Sequence, residues 1–246
     1  MIERQLDIPT HDGATTTFIV HPDRGGPFPI ILFFMDAPAI REELRDMARR
    51  LASSGYYVML PNLYYRSGVM EIWPLSADPE APERKRMFEL MESINIPLVM
   101  SDADALLAFA EKDVAADSDR VGAVGYCMSG QYAINLATHH PDVVKAAASI
   151  YGVRLITDRE DSPHRAGTKT AAELYFACAE RDHWMPLEEI PALEKGLATD
   201  KANAEVEIYP DTDHGFAFPQ RPVYAKQAAE RHWERLLSLF QRNLGT

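Results

Sequence analysis

Short apolar runs rich in β-branched residues alternate along this chain with stretches whose apolar residues recur every three or four positions. The short runs predict strands over residues 5–8, 15–20, 30–34, 56–60, 120–125, 146–151, 173–177 and 205–209. The periodic stretches predict helices over residues 41–54, about 83–112, 129–139, 187–199 and 222–244. In the first helix Leu44, Met47, Ala48 and Leu51 share one face, and Gly55 ends it. Thr10, His11, Asp12 and Gly13 carry turn chemistry between the first two strands, which implies an opening antiparallel hairpin. From there on, strands are separated by helices. Such an alternation implies an α/β chain with a mostly parallel central sheet of about eight strands and helices on both faces. Residues 64–82, with Gly68, Trp73 and several prolines, predict an irregular loop placed to cover a site. No repeat, low-complexity tract or linker divides the chain, so residues 1–246 are expected to form a single domain.

One run stands out within this pattern: Val121-Gly-Ala-Val-Gly-Tyr-Cys127-Met-Ser-Gly130. An apolar strand leads into a cysteine flanked by Gly125, Ser129 and Gly130, and a helix follows at once. Small residues in these places let strand and helix approach closely around a strained turn. The layout is that of a nucleophile elbow, which pushes one reactive side chain out above a parallel sheet. A cysteine there sits at a helix N-terminus, where partial positive charge favours thiolate over thiol. Cys127 is therefore the expected nucleophile. The plainer reading of a cysteine at a strand end, a small buried hydrophobe, suits Cys178.

A nucleophilic cysteine needs a base, and the base needs an orienting group. Behind such an elbow these follow in the order acid, then histidine, each on a loop after a later strand. Asp182 follows the strand ending in Cys178-Ala-Glu-Arg181, and His214 follows the strand around Ile208. Asp182 also reads as a cap for the helix beginning near Pro186. Asp211 and Asp213 compete for the orienting role from the loop of His214 itself. The apolar Phe216-Ala-Phe218 behind His214 argues for an ordered, partly buried loop.

An oxyanion needs two N–H donors. One is expected from Met128, the other from the loop after the strand at 30–34, most simply Ala37. Asp36, in that same loop, is an auxiliary candidate that accepts the Cys127 proton or holds the resting thiol. A turn or cap residue before Pro38 is an equally good reading of it. Tyr126, Trp73 and Trp184 are candidate apolar walls of a substrate pocket, and His183 is a further lining candidate. His139 and His140 are adjacent, point to different helix faces, and read as a helix end before Pro141 rather than as a chelating pair. No His/Cys spacing resembles a zinc site and no glycine spacing resembles a phosphate loop, so neither metal nor cofactor is expected.

Composition narrows the picture further. A hydrophobic content of 46% with 25% charged residues is ordinary for a globular domain. A net charge of -12 argues against nucleic acid or an anionic membrane surface as partner, although a local arginine can still capture an anion. The start carries no basic-then-apolar segment, no apolar run approaches membrane-spanning length, and there are two cysteines. The expectation is a cytoplasmic protein with reduced thiols, a monomer or homodimer, whose partner is a small-molecule ester or lactone, anionic ones included.

Together these residues resemble the dienelactone hydrolase family, cysteine hydrolases of α/β-hydrolase fold. The likeness runs over nearly the whole chain. It is carried by Phe33-Phe-Met-Asp-Ala-Pro-Ala39, residues 54–66, the elbow from Gly125 to Gly130, Ala179-Glu-Arg-Asp182 and His214-Gly-Phe216. It implies Cys127, Asp182 and His214 as a catalytic triad and the opening of lactones such as dienelactone, without metal or organic cofactor. The best-known members carry glutamate where Asp36 stands, in contact with the resting cysteine. They also bind the substrate carboxylate with two arginines. One of these matches Arg84, with Arg86 the alternative; the other aligns with Phe218, with Arg221 the candidate to compensate. All three arginines also read as solvated charges on helix faces. The expected activity is ester or lactone hydrolysis through an acyl-enzyme. The alternatives are a general carboxylesterase or thioesterase, and a ligand-binding protein on the same scaffold.

Overall fold

All eight expected strands form, most of them longer than their apolar runs. They are β1 (Ile2–Thr10), β2 (Gly13–His21), β3 (Phe28–Phe34), β4 (Tyr57–Pro61), β5 (Ala116–Tyr126), β6 (Val144–Ile150), β7 (Glu173–Arg181) and β8 (Ala204–Asp213). The computed structural model describes residues 1–76, 78–167 and 169–245. The strands join one sheet in the order β1-β2-β4-β3-β5-β6-β7-β8. The hairpin β1–β2 and the pair β2–β4 are antiparallel, and every pair from β4 to β8 is parallel. The inner strands are buried without alternation: every residue from Val121 to Tyr126, and from Pro29 to Phe34, lies inside. That pattern requires cover on both faces, which in parallel sheets comes from the crossover helices.

The helices are α1 (Glu42–Ser53), α2 (Pro82–Glu92), α3 (Ile96–Ala110), α4 (Gly130–His139), α5 (Ile190–Thr199) and α6 (Lys226–Leu244). In α6, Ala229, His232, Trp233, Leu236, Leu239 and Phe240 form the buried face, and the helix packs on β5, β6 and β7. Gly122 of β5 is required for that packing, because a Cβ there would lie 2.8 Å from Ile31 and 2.9 Å from Phe240.

Three helix boundaries differ from the periodicity; the helix expected from 187 opens with a 3-10 turn, Leu187–Glu189, and α5 proper starts at Ile190. The single helix expected over about 83–112 is two helices bent by 78°. Asn95 is extended and its side chain accepts the N–H of Leu98 at 3.0 Å, and Pro97 occupies the first turn of α3, so a new helix starts there. The last helix begins at Lys226 rather than 222, because the Ala225 N–H is taken by Phe216 O at 3.1 Å. Among the described residues, no single helix is long and apolar enough to cross a membrane. The stretch after β4 is largely irregular, as expected. Ile72 N–H donates to Pro38 O, and Ile40 N–H to Met70 O, each at 3.0 Å, which ties it down over the loop after β3.

Parallel strands put all their carboxyl ends on one rim, where sheets of this kind bind ligands. Here the loops leaving β3, β5, β7 and β8 open on that rim. The registers Phe34–Gly125–Ser149 and Ile150–Ala177–Glu207 keep the strand ends in step.

Candidate active site

The turn from β5 into α4 holds Cys127 at φ +55°, a left-handed conformation that costs a residue with a Cβ about 1–2 kcal/mol. Its surroundings show why the neighbours are small. A Cβ on Gly125 would lie 2.0 Å from Ser129 O, and one on Gly130 would lie 2.3 Å from Ser149 Oγ and 2.7 Å from Gly152 Cα. Packing this tight brings the start of α4 directly behind the sulfur. Cys127 is partly exposed, whereas Cys178 is buried and its thiol is pushed up to about 12 by burial. Neither is in a disulfide.

The loops after β7 and β8 meet beside the elbow. His214 Nδ1 lies 2.7 Å from Asp182 Oδ2. The Asp182 carboxylate is 1% exposed, and its other oxygen accepts the Trp184 N–H at 2.9 Å. That turn within its own loop takes the place of the helix-capping role, since α5 starts only at Ile190. Asp211 and Asp213 are instead engaged by Arg181 on the outer side of β8. His214 Nε2 is buried and makes no conventional hydrogen bond. Burial disfavours the imidazolium, but the negative charge of Cys127 and the bond to Asp182 outweigh it, raising the His214 pKa to about 10. A histidine oriented by a carboxylate beside a cysteine is an arrangement that can take a proton from the thiol.

The loop after β3 forms the opposite wall. Ser129 Oγ donates to Met35 O, and Tyr64 Oη donates to Ala37 O at 3.1 Å. Between them Asp36 is fully buried. Arg41 grips its two oxygens at 2.6 and 3.1 Å, and Arg221 adds a third contact at 2.6 Å. These cations outweigh the cost of burial and hold the Asp36 carboxyl below its ordinary range. The expectation that Asp36 holds the resting thiol is therefore corrected: its oxygens are committed to two guanidinium groups. Arg41 is braced in turn by Glu43 at 2.8 Å.

A cavity of about 380 Å³ opens over Cys127 and His214, a size that suits a small molecule. Ala37, Arg84, Trp184 and Arg221 line it together with His183 and a set of apolar side chains such as Met87 and Phe88. Trp184 packs against Phe88, with ring centres 5.9 Å apart. Arg84 lines the cavity, its Nε donating to Ser76 O at 2.6 Å, while Arg86 is exposed and pairs with Glu89.

Tyr126 and Trp73 do not wall this cavity, contrary to expectation. Tyr126 precedes the elbow and points into the core, where its hydroxyl meets His232 Nε2 at 3.0 Å. Trp73 lies on the Arg41 guanidinium, 5.1 Å from ring centre to Cζ. Phe218 is wholly buried beneath Arg41 and Arg221, at 4.8 and 5.3 Å. Arg41 and Tyr64, which contact Asp36 and Ala37 beside the site, were not singled out by the sequence, since nothing local in their neighbourhoods marks them.

On the surface, His139 and His140 both reach Asp104 Oδ1, at 3.0 and 2.8 Å. Adjacent histidines do converge here, against expectation, because His140 leaves the helix with ψ 60°. The three ligating atoms lie within 4.8 Å of one another, and their contacts are accounted for as hydrogen bonds.

Comparison with known proteins adds a family to this geometry. Residues 15–244 match the model of the dienelactone hydrolase family. A protein of Methylorubrum extorquens named "Putative carboxymethylenebutenolidase" is 30% identical over 246 residues, covering 98% of this chain and 81% of the relative. One of the same name from Escherichia coli K12 is 28% identical over 242 residues, covering 96% and 85%. The crystal structure of a "Putative Dienelactone Hydrolase" from Klebsiella pneumoniae superimposes with a TM-score of 0.85 at 26% identity, over 98% of both chains.

Proposed function

The chain belongs to the dienelactone hydrolase family and is a hydrolase, and from that premise we propose that it cleaves ester or lactone bonds with Cys127 as nucleophile. The observation that carries this reading is the pairing of Asp182 with His214 beside an elbow cysteine that opens into a cavity. The Cys127 thiolate attacks the carbonyl carbon, and the electron pair of the C=O bond moves onto oxygen. The N–H groups of Met128 and Ala37 hold that oxyanion. Collapse breaks the bond to the leaving oxygen, which takes a proton from the His214 imidazolium. In a lactone the ring opens and the alcohol stays attached to the acyl group. Neutral His214, oriented by Asp182, then removes a proton from water as it attacks the thioester, and the sulfur leaves with its electron pair.

Arg84 and Arg221 both line the cavity and lend it positive charge, which favours an anionic substrate. Arg221 is already ion-paired with Asp36, so Arg84 is the principal anchor for a carboxylate. A second reading, a carboxylesterase or thioesterase for neutral substrates, is favoured by Phe218, an aromatic where the resemblance implies a carboxylate-binding arginine. Rates on dienelactone-type lactones and on neutral aryl esters, compared in wild type and Arg84→Ala, separate the two. Loss confined to the anionic lactones supports the first. Undiminished activity of Cys127→Ala on both substrate types refutes the mechanism.

A further inference from the structure

We propose that Tyr64 is a positioning residue for the oxyanion hole, its hydroxyl setting the orientation of Ala37 against Met128. The proposal rests on the nucleophilic reading above and adds to it a residue outside the triad. Tyr64 is 1% exposed and does not line the cavity, so it acts through its neighbours rather than on substrate. Its oxygen sits 3.1 Å from Ala37 O and 3.1 Å from Met128 Sδ, which places it between the two residues that supply the oxyanion donors. A phenol has one proton, and a carbonyl is a stronger acceptor than a thioether. The proton therefore goes to Ala37, and the sulfur contact packs Met128 against the same atom.

The need for such a bond follows from the loop's chemistry. Ala37 precedes Pro38, whose peptide nitrogen carries no hydrogen. Its carbonyl is the handle by which the chain between Ala37 and Pro38 can be held. The residues before it are held by other elements: Ser129 bonds Met35, and Arg41 with Arg221 bonds Asp36. Tyr64 completes a clamp on three consecutive residues. Its own place is set by Asn62, whose Oδ1 accepts the Tyr64 N–H at 3.0 Å while Nδ2 donates to Val69 O at 2.9 Å. Burial, followed by the charges of Cys127 and Asp36, pushes the phenol well up, so it remains a donor at any working pH.

Tyr64→Phe removes one oxygen and leaves the ring in place. Loss of a whole oxyanion donor lowers kcat by roughly a hundredfold to a thousandfold, so a misaimed donor should lower it by roughly tenfold to a hundredfold, with KM within about twofold. Alkylation of Cys127 by iodoacetamide passes through no carbonyl oxyanion, and its rate should stay within about twofold of wild type. Affinity for a trifluoromethyl ketone, which forms a tetrahedral oxyanion on the sulfur, should fall by the same factor as kcat. An unchanged kcat overturns the proposal, as does a fall in kcat matched by equal loss of alkylation rate and a collapsed melting temperature. If Cys127→Ala is inactive and Tyr64→Phe is fully active, only the positioning role fails. If Cys127→Ala is fully active, the nucleophile itself is misassigned.

Discussion

Asp36 and Arg221 form a part-buried ion pair, Oδ2 to Nη2 at 2.6 Å, that joins the loop after β3 to the loop carrying His214. A second strut runs alongside it, where Glu43 Oε1 accepts the Gln220 N–H at 2.8 Å. Arg41 lies between the two carboxylates and links them. The loop after β3 and the loop carrying His214 are thereby locked to one another through charge.

Removing the centre of this network should be costly. Asp36→Asn leaves buried Arg41 with Glu43 alone and part-buried Arg221 without its carboxylate, and the expected loss of stability is about 3 kcal/mol by urea unfolding. Its pH dependence has a definite sign. The folded Asp36 carboxyl titrates below its unfolded value, so its contribution is present above that unfolded value and is lost as pH falls through the folded one. Wild type should therefore lose stability in acid more steeply than Asp36→Asn. Equal acid slopes would count against this assignment.

His214 carries the opposite sign. Its pKa is raised to about 10 by the Cys127 charge and Asp182, against the opposing effect of burial. Its contribution to stability is complete below the unfolded value near 6.5 and is lost as pH climbs through about 10. In NMR titrations the His214 ring should change state near pH 10 in wild type and distinctly lower in Cys127→Ala. An unmoved midpoint would mean that the sulfur does not carry the charge.

The left-handed backbone at position 127 predicts a trade between activity and stability. Cys127→Gly and Cys127→Ala should both be inactive, yet the glycine variant should be the more stable of the two by about 1 kcal/mol. Elsewhere that exchange normally runs the other way. Thermal melting of the two variants reads the difference directly.

Restoring an arginine at position 218 should fail. Phe218 is wholly buried beneath Arg41 and Arg221, so Phe218→Arg would add a third positive charge to a network that has two carboxylates, Asp36 and Glu43. The expectation is a chain destabilised by at least about 3 kcal/mol or recovered only as aggregate. A soluble, stable and lactone-active Phe218→Arg would show that the pocket rearranges.

Much of this molecule is readable from local pattern. The strands, the order Cys127, Asp182, His214 and the glycines of the elbow depend on residues close in sequence, where period, turn chemistry and steric need act over a few positions. Periodicity did not locate the break at Asn95, because a single cap and one proline decide it against a continuous apolar pattern. Tyr126 and Trp73 were misplaced for a related reason: composition marks an aromatic as a wall without saying which cavity it faces. Arg41 and Tyr64 belong to a third kind, and Arg221, a candidate in the sequence, shares their dependence on the fold for its partner. They reach the site from separate segments, and what assigns them is a partner such as Asp36 or Ala37 that only the folded chain brings near. Sequence by itself determined the sheet, the elbow and the candidates for the reactive groups, because those follow from short-range geometry. The tertiary structure alone decided how charge is shared around them, because a buried ion takes its partners from whatever the packing leaves within a few ångströms.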